Sequence, residues 1–343
     1  MTSQLAERRK SQALMLWLIA GALVVVAAVT AAIETRALRP DLAAGLVAPG
    51  LAETISGAQR VIVVSQEASY RIEKVERGGQ EVWVMRDRGD FPVTAGSLAQ
   101  LTRGLQELRY TRRMTSDPSK HERLGVTDPR QGGRGVLVQV EDGRGALLVN
   151  LILGVETNGL YVRRPDDDQT WAAREGEDAP LPPLRDAAAW LNLRPLAIDP
   201  ARLARVEIVP REGRAYILAR EAPDQPWRIA APALATLARS NVTSAAEQLT
   251  QLAPVDVQLA PAVQGDAVAR VRATLFDGVL IDAELIPSED RIWLKLAARA
   301  SSPELQQAAV EINAQAADWA FALSEADLQA LAPPLSALVP SSQ

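Results

Sequence analysis

Residues 13–33 constrain this chain most, because they form an apolar run without a single charged side chain, preceded by Arg8, Arg9 and Lys10. A helix rises about 1.5 Å per residue and a bilayer core is about 30 Å thick, so the run has the length to cross a membrane once. Basic residues near a span tend to stay cytoplasmic. Three of them precede the run, whereas only Arg36 and Arg39 lie close behind it, so residues 1–12 read as a cytoplasmic tail and the rest as exported. Trp17 suits the headgroup level at the inner end. The competing reading is a cleaved signal peptide with Thr30, Ala31 and Ala32 at the cleavage site, although signal h-regions run to about 7–15 residues and this one is longer. Both readings export the remainder of the chain.

Beyond residue 33 the composition is that of ordinary globular protein. A chain of 343 residues with 48 % hydrophobic content is long enough for two modest domains, and its net charge of −5 argues against a nucleic-acid binder. Cysteine is absent, which excludes thiol catalysis, disulfides and thiolate metal sites together.

The exported part reads as a repeat. After a connector (34–57), the strand-like run 60–64 leads to Tyr70-Arg71-Ile72, to Trp83-Val84-Met85, and to a helix-like stretch carrying Leu98, Leu101, Leu105 and Leu108. The order returns with 206–209, Tyr216-Ile217-Leu218, Trp227-Arg228-Ile229 and a helix-like stretch with Ala245, Leu249 and Leu252. Trp83 to Leu105 spans the same interval as Trp227 to Leu249. Each copy continues with a hairpin: 135–141 and 146–153 around Asp142-Gly143-Arg144-Gly145, then 269–276 and 279–286 around Asp277-Gly278. A further strand pair comes next in the first copy (160–162 and 170–172), and the strand 291–296 in the second. Each copy closes in helix, 184–191 and 303–316, the latter with Ser302 as N-cap and Pro303 at the first helical position. Capping boxes are expected at Ser244 with Glu247 and at Ser324 with Asp327.

Period-two strands mixed with amphipathic helices, without regular βαβ alternation, predict an α+β fold. The expected organisation is an N-terminal transmembrane helix (13–33), then two repeated domains, 58–199 and 200–343, of mainly antiparallel sheet with helices packed on one face. Pro200 marks the boundary.

The segment His121-Glu122-Arg123-Leu124-Gly125-Val126-Thr127-Asp128-Pro129, the strand ending in Leu153-Gly154, and Gly159-Leu160-Tyr161-Val162-Arg163 resemble the bacterial DUF4340 proteins, as does the single N-terminal span. Val126 and Thr127 between Gly125 and Pro129 keep the family pattern only loosely. The resemblance implies an envelope protein encoded beside ABC transporter permeases and ATPases of the type associated with gliding motility, without established catalytic residues.

The chemistry-bearing residues give no catalytic constellation. His121 is the only histidine, so a histidine metal cluster cannot be built and any Ser-His-Asp triad would rest on this residue alone. Asp166-Asp167-Asp168 offers hard oxygen ligands or a solvated turn, and it lacks the spacing of a calcium loop. The glycine-rich runs 131–135 and 142–145 do not lead into Lys with Ser or Thr, which excludes a P-loop. Arg109, Arg112, Arg113, Lys120, Arg123 and Arg130 around Tyr110 could meet an anionic surface, yet Glu107, Asp117, Glu122 and Asp128 interleave with them as on a solvated face. Trp83, Trp171, Trp227 and Trp293 fall on predicted strands, where core packing explains them better than a sugar platform. No residue is assigned a catalytic, cofactor-binding or metal role, and no cofactor is expected. The reading is a membrane-tethered, non-enzymatic periplasmic accessory or scaffold protein, with the inner membrane and an ABC permease and ATPase as partners. The alternative is a carboxylate-dependent envelope hydrolase or glycan-binding protein.

Overall fold

A computed structural model describes residues 45–156, 159–232, 241–288 and 291–338. The first copy builds a nine-stranded sheet ordered β4-β3-β2-β1-β6-β7-β8-β9-β5. Its strands are β1 (Ala58–Val64), β2 (Ser69–Arg77), β3 (Gln80–Met85), β4 (Phe91–Pro92), β5 (Arg109–Arg113), β6 (Val136–Asp142), β7 (Leu147–Glu156), β8 (Gly159–Arg163) and β9 (Thr170–Arg174). The second copy builds an eight-stranded sheet ordered β12-β11-β10-β14-β15-β16-β17-β13. These strands are β10 (Leu203–Val209), β11 (Tyr216–Ala219), β12 (Arg228–Ala231), β13 (Asp256–Leu259), β14 (Ala269–Leu275), β15 (Val279–Ser288), β16 (Arg291–Ala300) and β17 (Trp319–Leu323). Every pairing is antiparallel.

The two orders are the same apart from β4. In each, the first strand pairs with the second and with the strand that comes after the helix and the edge strand. In each, that latter ladder breaks register at the start, between Ala58 and Arg60 in β1 and between Leu203 and Arg205 in β10. A bulge shared by two copies in one chain re-aims the strand entry in both. The tyrosines of β2 and β11 also agree in use. Tyr70 donates its hydroxyl to the Leu184 carbonyl at 2.9 Å and Tyr216 to the Pro333 carbonyl at 2.8 Å, each pinning its own copy's C-terminal tail. Burial pushes both phenols above their ordinary pKa.

Helices are few. They are α1 (Ala95–Glu107), α2 (Val242–Glu247), α3 (Gln306–Ala316) and α4 (Glu325–Leu331), with one turn at Leu51–Thr54. α1 buries Leu101 and Leu105 and is capped by Thr94, whose side chain accepts from the Ser97 amide. The expected α+β class is therefore corrected to a mostly antiparallel, two-sheet fold with few helices. The clearest loss is the helix expected over 184–191, which reduces to a single 3-10 turn, Ala188–Trp190. So short a segment, flanked by Pro183 and Pro195, nucleates a helix poorly. The tail instead satisfies its backbone on the sheet, with the Thr94 amide donating to the Trp190 carbonyl and Val93 bridging Leu191.

The expected caps divide similarly. Ser302 forms no cap bond to the backbone and donates its hydroxyl to Glu304, and the helix begins as a 3-10 turn. Ser244 lies inside α2, and its expected partner Glu247 accepts from the Trp227 indole N–H. The box at Ser324 and Asp327 is present. No helix among the described residues is long and apolar enough to cross a membrane, so the fold class stands without the expected transmembrane helix. The run 13–33 itself lies outside the described residues, as do the tail 1–12 and part of the connector.

One apolar core runs through both sheets. Phe91 of β4 joins the copies, with its ring edge-on to Trp319 (centroids 4.9 Å apart) and to Phe321 (6.2 Å). Beside it Asp256 of β13 accepts from Arg88 at 2.5 Å and from Arg291 at 2.9 Å. Gly89 permits this approach, since a Cβ there would lie 2.5 Å from Leu259 Cγ.

Candidate functional site

The loop carrying the 121–129 segment folds as three 3-10 turns, Pro118–Lys120, Glu122–Leu124 and Pro129–Gln131. Asp117 and Asp128 cap the first and third by accepting from the Ser119 and Arg130 amides, and Gly125 ends the second with a φ of 63°. The loop lies across the outer face of the first sheet, where Val126 packs with Leu137, Ile152 and Tyr161. Glycine makes the approach feasible: a Cβ on Gly154 would sit 2.2 Å from the Leu124 carbonyl oxygen.

His121 is buried here, and its Nε2 lies 2.9 Å from the Asp168 carbonyl oxygen, so that nitrogen carries the proton and donates it. The bond ties the loop to the β8–β9 turn. Arg163 is buried beside it, donating from Nε to Val126 O at 3.2 Å and from Nη1 to the carbonyls of Arg164, Pro165 and Asp167. Burial draws its guanidinium below the usual arginine pKa. The Asp166-Asp167-Asp168 segment is the receiving turn, with Asp167 accepting from the Gln169 amide at 2.9 Å. Among the described residues no group of three His, Asp or Glu side chains is placed to hold a metal ion. Arg163 as a buried cation was missed in the sequence, although Gly159-Leu160-Tyr161-Val162-Arg163 contained it.

Carboxylates on the strand faces are held by arginines. Glu73 accepts from Arg60 at 2.7 Å and from Arg86 at 2.6 Å, and Asp282 accepts from Arg272 at 2.6 Å and from Arg299. Burial disfavours ionisation at Glu73, yet the bonds from Arg86 and Arg60 outweigh it and lower its pKa. At Asp128 the Arg130 bond does the same, and at Asp142 the Ala146 and Arg144 amides do. Glu67, Asp117 and Asp277 are also shifted down. A general acid needs the opposite shift. The basic stretch around Tyr110 is part solvated face and part packing: Arg109, Arg112 and Arg113 are exposed on β5, and the Tyr110 ring packs tilted against Trp171 with centroids 5.0 Å apart. Trp227 and Trp293 are buried in the core, whereas Trp83 and Trp171 are half-buried.

A cleft of about 960 Å³ lies where the first copy's tail meets the segment after α2. Leu191, Leu193, Leu196, Ile198 and Leu252 form its apolar floor, and Asp186, Arg194, Asp199 and Gln251 rim it. Val255 stands at its edge with 54 % of its surface exposed. Large clefts at the junction of two units are common binding sites.

Fold and site thus define a duplicated antiparallel-sheet protein with a cleft at the junction of its copies. The chain belongs to the DUF4340 family, described as a domain of unknown function, whose profile matches residues 83–267. That match begins in β3 and ends just before β14, so it spans the junction between the copies. No curated protein matches the chain, and no solved structure matches it.

Proposed function

We propose that the protein is a non-enzymatic accessory or scaffold subunit of a bacterial envelope system, held at the inner membrane by its N-terminal segment and docking an ABC-type permease through its exported part, with the permease's ATPase recruited through the permease. The observation that carries this reading is the junction cleft, which offers an apolar floor, an exposed valine and a rim of mixed charge. That is the make-up of a protein-binding surface: an apolar centre inside a polar rim. The carboxylates support the same reading, since those with displaced pKa values are displaced toward permanent ionisation. A hydrolase working by paired carboxylates would need one of them held protonated near neutral pH.

The test is recovery of the full-length tagged protein from mild detergent with mass-spectrometric identification of what accompanies it. Recovery of a permease with its ATPase supports the accessory role. Recovery of the protein alone, together with cleavage of an envelope glycan by the purified chain, overturns it in favour of the hydrolase.

A further inference from the structure

Matching the sheets strand for strand sets Lys74 of β2 in the place of Arg220 after β11, and Trp83 in the place of Trp227. Both cations lie over their tryptophan, Lys74 at 5.6 Å and Arg220 at 4.7 Å from the ring centroid. Their consequences differ. Arg220 is 9 % exposed and folds inward, donating to the carbonyls of Leu203, Pro223 and Pro200. Leu203 and Pro200 occupy the positions of Ala58 and Ile55 in the first copy. The second copy therefore sets its own arginine between helix and sheet, against buried Trp227 and 3.7 Å from Glu247 of α2.

In the first copy that space is a cavity of about 300 Å³ between α1 and β1–β3, walled by Ala58, Val61, Trp83, Leu98, Leu101 and Leu105. Trp83, Leu98 and Thr102 are only half-buried, so the cavity reaches solvent. Lys74 is the one charged residue among those that line it. Its side chain is 15 % exposed and its ammonium pairs at 3.2 Å with Glu81, whose side chain is 69 % exposed, so a carboxylate already meets this ammonium from the solvent side.

We propose that this cavity is a binding site for a single alkyl chain with an anionic head group: the chain lies against Trp83 and the α1 leucines, and the head group meets Lys74. The volume corresponds to about ten water volumes, room for a chain of about ten carbons. The site assigned is that of the first copy, and the assignment stands whether or not a permease docks at the junction cleft.

The test is isothermal titration of the full-length chain, held in amphipol, with alkyl carboxylates of six to fourteen carbons below their micelle concentrations. One equivalent is expected to bind, with affinity rising about fourfold per methylene and levelling near ten carbons. Ala58→Leu installs the residue of the second copy and is expected to weaken decanoate binding at least tenfold. Should that variant fail to fold by circular dichroism, Thr102→Leu closes the cavity from α1 with the same expected loss. Lys74→Gln is expected to weaken decanoate about tenfold and leave decanol unchanged. Decyl phosphate, compared with decanoate, tells a phosphate head group from a carboxylate by whichever binds tighter. Absence of decanoate binding, or a folded Ala58→Leu chain that binds as wild type does, overturns the assignment.

Discussion

Gly154→Ala probes why the 121–129 segment is built as it is. The added methyl carbon would lie 2.2 Å from the Leu124 carbonyl oxygen and 2.8 Å from the backbone of Gly125. Ordinary carbon–oxygen contacts begin at about 3.3 Å, so the loop has to retreat by about 1 Å. The atoms in the way are backbone, and no rotamer change relieves them. Retreat loosens the packing of fully buried Val126 on Leu137 and Ile152, and lengthens the bonds from Arg163 to Val126 and from His121 to Asp168. Overpacking costs about 1–3 kcal/mol, and a backbone clash this close puts the expected loss near 3 kcal/mol. At about 2–4 °C per kcal/mol the melting temperature falls by about 6–12 °C. Gly96→Ala is the control: it lies in α1 with no heavy atom within 4 Å of the added carbon, and removing a helical glycine stabilises by about 0.5–1 kcal/mol. Thermal and urea unfolding followed by circular dichroism measure both. A Gly154→Ala chain within 0.5 kcal/mol of wild type, roughly the scatter of a neutral surface change, refutes the account of the loop as a packed cover.

Two other perturbations report on the joint and the strand faces. Phe91→Ala removes a buried ring from between Trp319 and Phe321, so a loss of about 3–5 kcal/mol is expected in urea unfolding, with tryptophan emission changing at lower urea; a loss under 1 kcal/mol would mean that the copies do not depend on this contact. Glu73 has a folded pKa below its ordinary value of 4.5, so its contribution is fully present above that value and lost as pH falls through the folded pKa. Glu73→Gln is therefore expected to flatten the loss of stability in acid below about pH 4.5, measured as urea midpoint against pH, and an unchanged slope contradicts the role of its arginines.

Strands such as β14 and β15 were legible because their buried residues alternate, whereas β17 is buried on both faces and Val136, Leu137 and Val138 of β6 are all buried. The alternation in 269–286 fixes which side chains face inward, and Asp142-Gly143-Arg144-Gly145 and Asp277-Gly278 fix the turns of the two hairpins. The strand order, however, depends on edge pairings such as β5 with β9 and β13 with β17, which join residues far apart in sequence and leave no local pattern. Helix was overestimated at 184–191 because apolar residues at helical spacing also suit a tail laid against a sheet, and the buried Trp190 and the Val93 bridge decide for the tail. The box at Ser324 was readable from its local spacing alone, whereas Glu247 was drawn away by Trp227, twenty residues distant. The junction cleft had no motif to announce it, since it is made of loop segments from both copies. The cavity beneath α1 becomes visible only when Lys74 and Arg220 are compared in space.

The central claim, docking of a permease at the junction cleft with its ATPase carried along by the permease, is tested most directly by comparing the full-length wild-type chain with Val255→Arg in the same affinity recovery from mild detergent. Val255 is exposed at the cleft edge and contributes little to the core, so the variant is expected to fold and melt as wild type does. The account predicts that wild type brings down the permease and ATPase and that Val255→Arg loses most of both. Equal recovery by the two chains, or recovery of neither partner by wild type, contradicts it.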